Sequence, residues 1–233
     1  MTKISIIIPT YNERSNIKEL IKQIFSFNIS DLNIIIVDDN SPDGTGGLVE
    51  SIEETTRLEI IHRIKKMGLG SAYIDGFKRA LVLGADYIFE MDADFSHDPK
   101  YLPQFLEEVE NYDLVLGSRY IEGGGIKNWN LGRRLISYLG NFYARLILNL
   151  SFQDLTGGFK CYKRKVIESI NLEKLDSEGY VFQIETTYWA YKNGFKIKEI
   201  PIIFTERKLG KSKFNFKIFF EAFIKVLTLR FKK

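Results

Sequence analysis

Tyr87-Ile88-Phe89-Glu90-Met91-Asp92-Ala93-Asp94 is an apolar, strand-like run that ends in two carboxylates one residue apart. Such a pair at a strand end cannot be buried cheaply without a cation. A hard divalent ion would satisfy both carboxylates and hold a diphosphate as well. The run therefore points to a metal-dependent enzyme handling a nucleotide-activated substrate.

Outward from that run, the first half of the chain alternates two periods. Ile4 to Ile8 reads as a buried strand, and Ile17, Leu20, Ile21, Ile24 and Phe25 follow at helical spacing. Leu32 to Val37 is a second strand, Gly44 to Glu54 a helix, Leu58 to His62 a strand and Gly70 to Leu83 a helix. A helix around Pro99 to Val109 and a strand at Leu114-Val115-Leu116 come after the carboxylate run. This β-α-β order predicts an α/β fold, a mostly parallel sheet flanked by helices with right-handed crossovers. Ligands bind at the carboxyl ends of such strands. Thr10-Tyr11-Asn12-Glu13, Asp38-Asp39, Asp92-Ala93-Asp94 and Ser118-Arg119 all fall there, so separate strands aim polar groups at one rim.

The second half is less regular. Gly123-Gly124-Gly125 reads as a flexible loop, Leu131 to Leu150 as a basic amphipathic helix, Gly179 to Tyr191 as a helix and Ile197 to Phe204 as a strand. Phe214 to Phe231 carries a stripe of Phe216, Phe219, Phe220, Phe223 and Leu227, which suits a helix lying in a membrane interface. Basic residues crowd the chain from Arg207 to Lys233 against the single acid Glu221, a pattern that favours contact with acidic lipid over packing of that stripe on the domain.

The composition bounds the rest. The 233 residues are 45% hydrophobic and 27% charged, enough for one sizeable domain with a C-terminal appendage. A net charge of +3 is too mild to argue for nucleic acid. Cys161 is the only cysteine, so no intrachain disulfide forms and a reducing compartment is expected. No apolar run reaches the length of a membrane span and no secretory signal is visible, so a soluble or peripheral protein on the cytoplasmic face is expected.

The ordered set Pro9-Thr10-Tyr11-Asn12-Glu13, Asp38-Asp39-Asn40-Ser41-Pro42-Asp43-Gly44-Thr45, Gly68-Leu69-Gly70-Ser71-Ala72-Tyr73, Asp92-Ala93-Asp94, Gly117-Ser118-Arg119-Tyr120 and Gly179-Tyr180-Val181-Phe182-Gln183-Ile184-Glu185 closely resembles the dolichol-phosphate mannose synthases. These are inverting family 2 glycosyltransferases with a GT-A fold. The resemblance covers nearly the whole chain. It implies a catalytic domain over residues 1–213 and an amphipathic membrane-interface helix over 214–233. The implied reaction transfers mannose from GDP-mannose to dolichyl (polyprenyl) monophosphate. A small membrane-spanning partner subunit is compatible with it. Two alternatives stay open: a family 2 transferase using UDP-glucose or another UDP-sugar, and a catalytically silent sugar-nucleotide-binding subunit.

The resemblance also distributes roles. Asp94 is expected as the main ligand of Mg²⁺ or Mn²⁺, with Asp92 beside the ion or the donor ribose. Ser96 occupies the position where related enzymes carry a ligating glutamine. Pro9, Tyr11, Glu13, Val37 and Asp39 are implied at the nucleotide, with the Ala93 backbone close by, while Asp38 supports the loop. Arg119 ends a strand at the rim and is expected at a phosphate. Arg133 and Ser137, one helical turn apart, are implied at the acceptor phosphate. Arg207 and Lys213 are assigned to the donor phosphates. Gln183 and Glu185 are expected to meet sugar hydroxyls or to support the acceptor site. Asp98 reads as a helix cap. Gly68-Leu69-Gly70 lacks the Lys-Ser/Thr ending of a P-loop and reads as a packed turn. His97, near the carboxylates, is weak as a ligand, and Cys161, Trp129 and Trp189 read as packing residues.

Overall fold

The computed structural model describes residues 1–52, 56–175, 177–206 and 216–232. In chain order the elements are β1 (Ile4–Thr10), α1 (Ile17–Ser26), β2 (Leu32–Asp38), α2 (Thr45–Glu50), β3 (Leu58–His62), α3 (Leu69–Val82), β4 (Tyr87–Glu90) and α4 (Leu102–Asn111). The chain continues with β5 (Leu114–Ser118), β6 (Gly125–Lys127), α5 (Leu131–Leu148), β7 (Lys160–Lys163), α6 (Arg164–Ser169), α7 (Gly179–Lys192), β8 (Ile197–Pro201), β9 (Ile203–Thr205) and α8 (Phe216–Leu229).

Seven strands form the main sheet in the order β3-β2-β1-β4-β7-β5-β8. Every pairing is parallel except those of β7, which runs antiparallel between β4 and β5. Both faces are covered, so the strands read as unbroken apolar runs. Ile6, Ile8, Ile34, Ile36 and Phe89 pack under α1 and α4, against Ile17, Leu20, Ile24 and Phe105. Ile7, Ile35, Val37 and Ile88 face the other way, against Tyr73 and Phe77 of α3 and Phe182 of α7. Gly76 sets the approach of α3 to β1: a Cβ there would lie 2.3 Å from Ile7 Cγ2, so any larger residue would push the helix off the sheet.

The parallel half matches the sequence expectation; the differences lie in the second half. The Lys160–Lys163 strand was not anticipated, because a lysine at each end, one of them buried, breaks the apolar pattern. Gly125 is not part of a free loop: it opens β6, which pairs in parallel with β9 as a small second sheet. The strand expected over Ile197 to Phe204 is two strands, because the chain leaves the main sheet at Ile202 and joins the small one. α2 stops at Glu50 rather than Glu54.

The C-terminal helix lies against the domain. α8 packs on α5 and α7 through Val226 and Leu229, which are buried against Ala144, Leu148, Ile184 and Tyr188. Tyr143 stacks on Phe223 with ring centroids 4.0 Å apart and donates its hydroxyl to Phe223 O. Packing on the domain, ranked below membrane contact in the sequence reading, is thus present, while Phe223, Ile224 and Leu227 still keep exposed faces.

Candidate active site

The sheet's carboxyl edge carries the site. Asp92 and Asp94 follow β4. Phe95 adopts a left-handed backbone (φ 62°), a conformation that costs a bulky residue roughly 1–3 kcal/mol and that clusters at functional sites. That turn folds Ser96 back, so that its amide and hydroxyl both donate to Asp94 Oδ1, at 3.1 and 2.5 Å. Ser96, expected among the metal ligands, thus directs its hydroxyl proton to Asp94 and orients that carboxylate. Asp92 is held from three sides. Its amide donates to His97 Nδ1 at 3.0 Å, Tyr73 Oη lies 3.4 Å from Oδ1, and His97 Nε2 lies 3.7 Å from Oδ2. His97 is buried and stacked on Phe159. Asp98 caps the following helical turn by accepting from Lys100 N, as its position after the carboxylates implied.

Among the described residues no cluster of three or more His, Cys, Asp or Glu is placed to enclose a metal. Two carboxylates with open space beside them still suit Mg²⁺ or Mn²⁺, which bind through one or two carboxylates and complete their shell with water and substrate phosphate oxygens.

On the β1–β2 side, Asp38 does support the loop: it accepts from Thr10 Oγ1 and from the amide and hydroxyl of Ser41. Asp39 accepts from Met67 N, Gly68 N and, at 2.6 Å, Arg63 Nη1. Arg63 is buried and was missed by the sequence reading, since a lone arginine after a strand gives no signal. Tyr11 keeps an exposed ring with Lys66 Nζ 3.6 Å from its centroid. Glu13 begins the turn into α1, with its amide on Thr45 Oγ1. Pro9 and Val37 are register partners on β1 and β2, and the Val37 side chain is in the core, so it can meet a ligand only through its backbone.

On the other side stand the cations. Arg119 is buried and binds Asp154 bidentately, Nε to Oδ2 at 2.6 Å and Nη2 to Oδ1 at 2.7 Å, with Nη2 also on Thr156 Oγ1. The expectation of a rim arginine open to phosphate is corrected to that extent: one edge of the guanidinium is committed to Asp154, as burial of an arginine demands. Burial alone would lower its pKa, but Asp154 more than offsets this and holds it above its ordinary value. Arg133 sits in the first turn of α5, which Asn130 caps. Its guanidinium lies 4.0 Å over the Trp129 ring and bonds Glu206. Ser137 is one turn further on, half-buried.

Asp92, Asp94, Ser96, Arg119 and Arg133 line one cleft, together with His97, Trp129, Thr156, Gly157, Gly158, Tyr180 and Phe204. Gln183 lies beneath it, and Glu185 faces away: Glu185 Oε1 accepts from Lys232 Nζ and ties the end of the chain to α7. Arg207 and Lys213 lie outside the described residues.

Under the cleft, Lys160 of β7 is fully buried, and its Nζ donates to Gln183 O, Thr186 Oγ1 and Thr187 Oγ1. Burial lowers its pKa to about 8, and raises that of its register partner Glu90 to about 7 against the pull of Lys160, Gln183 and Tyr162. Lys160→Met should therefore cost about 3–5 kcal/mol near pH 8, where it strands a charged Glu90. An acid whose folded pKa is raised loses stability as pH rises above its unfolded value, and the variant raises that of Glu90 further. The deficit should shrink towards pH 5, where Glu90 is protonated in both proteins. Urea unfolding at the two pH values reads this out, and an equal deficit at both would contradict it.

The mostly parallel sheet flanked by helices is a GT-A type α/β fold. The chain belongs to glycosyl transferase family 2, whose model matches residues 5–170, and it is thus a glycosyltransferase. It is 43% identical over 224 residues to polyprenol monophosphomannose synthase of Mycolicibacterium smegmatis, covering 95% of this chain and 84% of that protein. It is 41% identical over 221 residues to undecaprenyl-phosphate mannosyltransferase of Micrococcus luteus, covering 94% and 90%. Among solved structures it is similar in fold to glucosyl-3-phosphoglycerate synthase of Mycobacterium tuberculosis in complex with phosphoglyceric acid. That match has a TM-score of 0.72 at 14% identity and covers 100% of this chain and 81% of that one. The same enzyme with Mn²⁺, UDP and glucosyl-3-phosphoglycerate gives 0.68 at 16% identity, covering 98% and 78%.

Proposed function

We propose that this protein transfers mannose from GDP-mannose to a polyprenyl monophosphate with inversion at the anomeric carbon. The observation that carries the reading is one cleft lined both by the paired carboxylates and by Arg119 and Arg133. The names of its two relatives support the sugar and the lipid acceptor. A phosphate oxygen of the acceptor bonds to the anomeric carbon as the bond to the GDP β-phosphate oxygen breaks, and GDP leaves from the opposite face. Asp92 and Asp94 would hold Mg²⁺ or Mn²⁺, which when bound neutralises charge on the diphosphate. Arg133 and the free edge of Arg119 offset the acceptor's charge and let two anions approach. A phosphate monoester is already anionic near neutral pH, so no general base is needed. His97 is in any case occupied on Nδ1 by the Asp92 amide.

Purified protein with Mg²⁺ or Mn²⁺ and a short polyprenyl phosphate, offered GDP-mannose, UDP-glucose and UDP-GlcNAc in parallel, tests this by the mass of the lipid product. Product from GDP-mannose alone is expected. Product only from a UDP-sugar would replace the donor, and donor binding without turnover would favour a silent subunit or a missing membrane partner.

The polyprenyl tail needs an apolar surface, and α5 presents one: Leu131, Leu135, Tyr138, Leu139, Phe142 and Leu146 are all exposed, next to Phe223, Ile224 and Leu227 of α8. No helix among the described residues is long and apolar enough to cross a membrane. We read this face as a peripheral contact with the cytoplasmic leaflet. Replacing both Leu139 and Phe142 by Ser should weaken binding to vesicles of acidic lipid by at least about tenfold, each side chain being worth ~1.5–3 kcal/mol when buried. GDP-mannose affinity should stay unchanged, and unaltered vesicle binding would remove this face from the interface.

A further inference from the structure

α5 is anchored by few residues: of its eighteen, only Asn141, Ala144 and Leu148 are buried. Ala144 and Leu148 join the apolar cluster with α7 and α8. Asn141 is polar, and no residue ahead of it in α5 is buried. It follows Arg133 and Ser137 at successive steps of four, hence on their face of the helix. Its amide is completely used. Oδ1 accepts from Leu155 N at 2.8 Å and Thr156 N at 3.1 Å, while Nδ2 donates to Ser137 O at 3.0 Å and Thr156 Oγ1 at 3.1 Å. The two preceding amides, of Gln153 and Asp154, are held by Glu199 of β8. The turn that leads into the Gly157-Gly158 floor of the cleft is thus held from the main sheet by one side chain and from α5 by another. The Thr156 hydroxyl is where α5 meets Arg119: it accepts from Asn141 and, at 2.8 Å, from Arg119 Nη2. Asp154 and Thr156 together engage Nε and Nη2, which fixes the guanidinium on both sides.

We propose that Asn141 is a positioning residue for the phosphate acceptor: through Thr156 it sets the separation of Arg119, at the end of β5, from Arg133 and Ser137 on α5. This rests on the glycosyl-transfer reading above. A phosphate monoester is small, and cations on two elements meet it together only if those elements keep one spacing. A misplacement of about 1 Å can cost on the order of a hundredfold in rate. Without Asn141, the end of α5 that carries Arg133 would be tied by contacts such as Arg133 to Glu206 and Arg134 to Ile126 O, neither of which reaches the floor. An apolar residue would suffice to pack the helix. A buried amide with four partners also fixes its register on the turn.

The test compares Asn141→Ala, Thr156→Val and Thr156→Ser with the parent protein, each assayed below its melting temperature. Asn141→Ala leaves two buried amides without acceptors and loses stability. Thr156→Val keeps both amide contacts and a similar shape, so it carries the test if the first variant fails to fold. Asn141→Ala and Thr156→Val should each lose about thirtyfold in kcat/KM for polyprenyl phosphate, with GDP-mannose affinity within about twofold of the parent, and Thr156→Ser should recover most of the loss. Because the two residues act in one chain, the double variant Asn141→Ala, Thr156→Val should be no more than about threefold slower than the slower single one. Losses that multiply, or parent-like kcat/KM in the single variants, would overturn the relay and leave Asn141 as packing. Calorimetric binding of a short polyprenyl phosphate and of the matching polyprenol needs no donor. The parent's preference for the phosphate should fall about tenfold in both single variants, even if the donor proves to be a UDP-hexose. An unchanged preference would overturn the relay alone, whereas a parent indifferent to the phosphate would overturn the acceptor reading and the relay with it.

Discussion

Asp94→Ala is expected to lower turnover by at least about a thousandfold, ~4 kcal/mol of barrier, with little change in melting temperature. The size follows from charge. Breaking the bond to a nucleoside diphosphate releases an anion into a cleft whose described cations are Arg119, already paired with Asp154, and Arg133, shared with Glu206. Neutralisation at the leaving group therefore depends on what Asp92 and Asp94 hold. The two carboxylates are not equivalent. Asp94 is 9% exposed and has one oxygen fixed by Ser96, whereas the Asp92 side chain is 34% exposed and braced by Tyr73 and His97. Stability should survive, because removing a carboxylate from this acidic turn relieves repulsion with Asp92. Single-turnover rates over a Mn²⁺ titration check it. An Asp94→Ala protein within tenfold of the parent at saturating Mn²⁺ would move the metal elsewhere. Ser96→Ala, which leaves the carboxylate but frees its orientation, should lose about tenfold and be partly rescued by high Mn²⁺.

What was legible in the sequence follows from which forces act locally. The parallel half could be read because each strand is buried on both faces and each helix on one, so burial writes itself directly into periodicity, as in Ile4 to Ile8 and Leu32 to Val37. Asp92, Asp94 and Arg119 could be placed on the rim because strand ends fix where they point, whereas Arg133 came from the family resemblance; the fold brings all four to one cleft. Long-range pairing leaves no such trace. The Lys160–Lys163 strand enters the sheet between β4 and β5, the strands that carry the carboxylates and Arg119, and it brings a buried lysine that pattern reading excludes from a core. Lys160 is tolerated only because residues of α7 supply its three acceptors, 23 to 27 positions away. Arg63 on Asp39 and Asp154 on Arg119 are the same case: a charge whose partner is set by the fold, not by spacing. α8 was legible only in part. A helix with a wide apolar stripe and basic flanks can face a membrane and a domain at once, and periodicity cannot say which side of the stripe is covered.

Asp154→Ala should cost about 3–5 kcal/mol of stability, a fall in melting temperature of roughly 10 °C for a chain of this size. Asp154 accepts the Arg119 amide as well as both guanidinium contacts, and its own amide is held by Glu199 of β8, so it joins the end of β5 to the Thr156-Gly157-Gly158 floor. Removing it leaves a buried guanidinium, ringed by Tyr120, Trp129 and Phe204 at 5.4 to 5.6 Å, without a counter-ion. The single variant cannot separate lost structure from lost charge, but the double variant Arg119→Met, Asp154→Leu can. Exchanging a buried ion pair for apolar groups of similar size is often neutral or stabilising, so the double variant should regain most of the lost stability. If Arg119 serves only to brace the floor, turnover should return with stability. If its free edge supplies positive charge to the acceptor phosphate, the double variant should be as stable as the parent and still slower by about a hundredfold, with GDP-mannose affinity intact and the loss expressed against polyprenyl phosphate. We expect the second outcome, because Arg133 is already shared with Glu206 and cannot by itself offset a phosphate monoester. Chemical denaturation paired with acceptor-dependent kinetics distinguishes the two, and full activity in a stable double variant would reduce Arg119 to a brace.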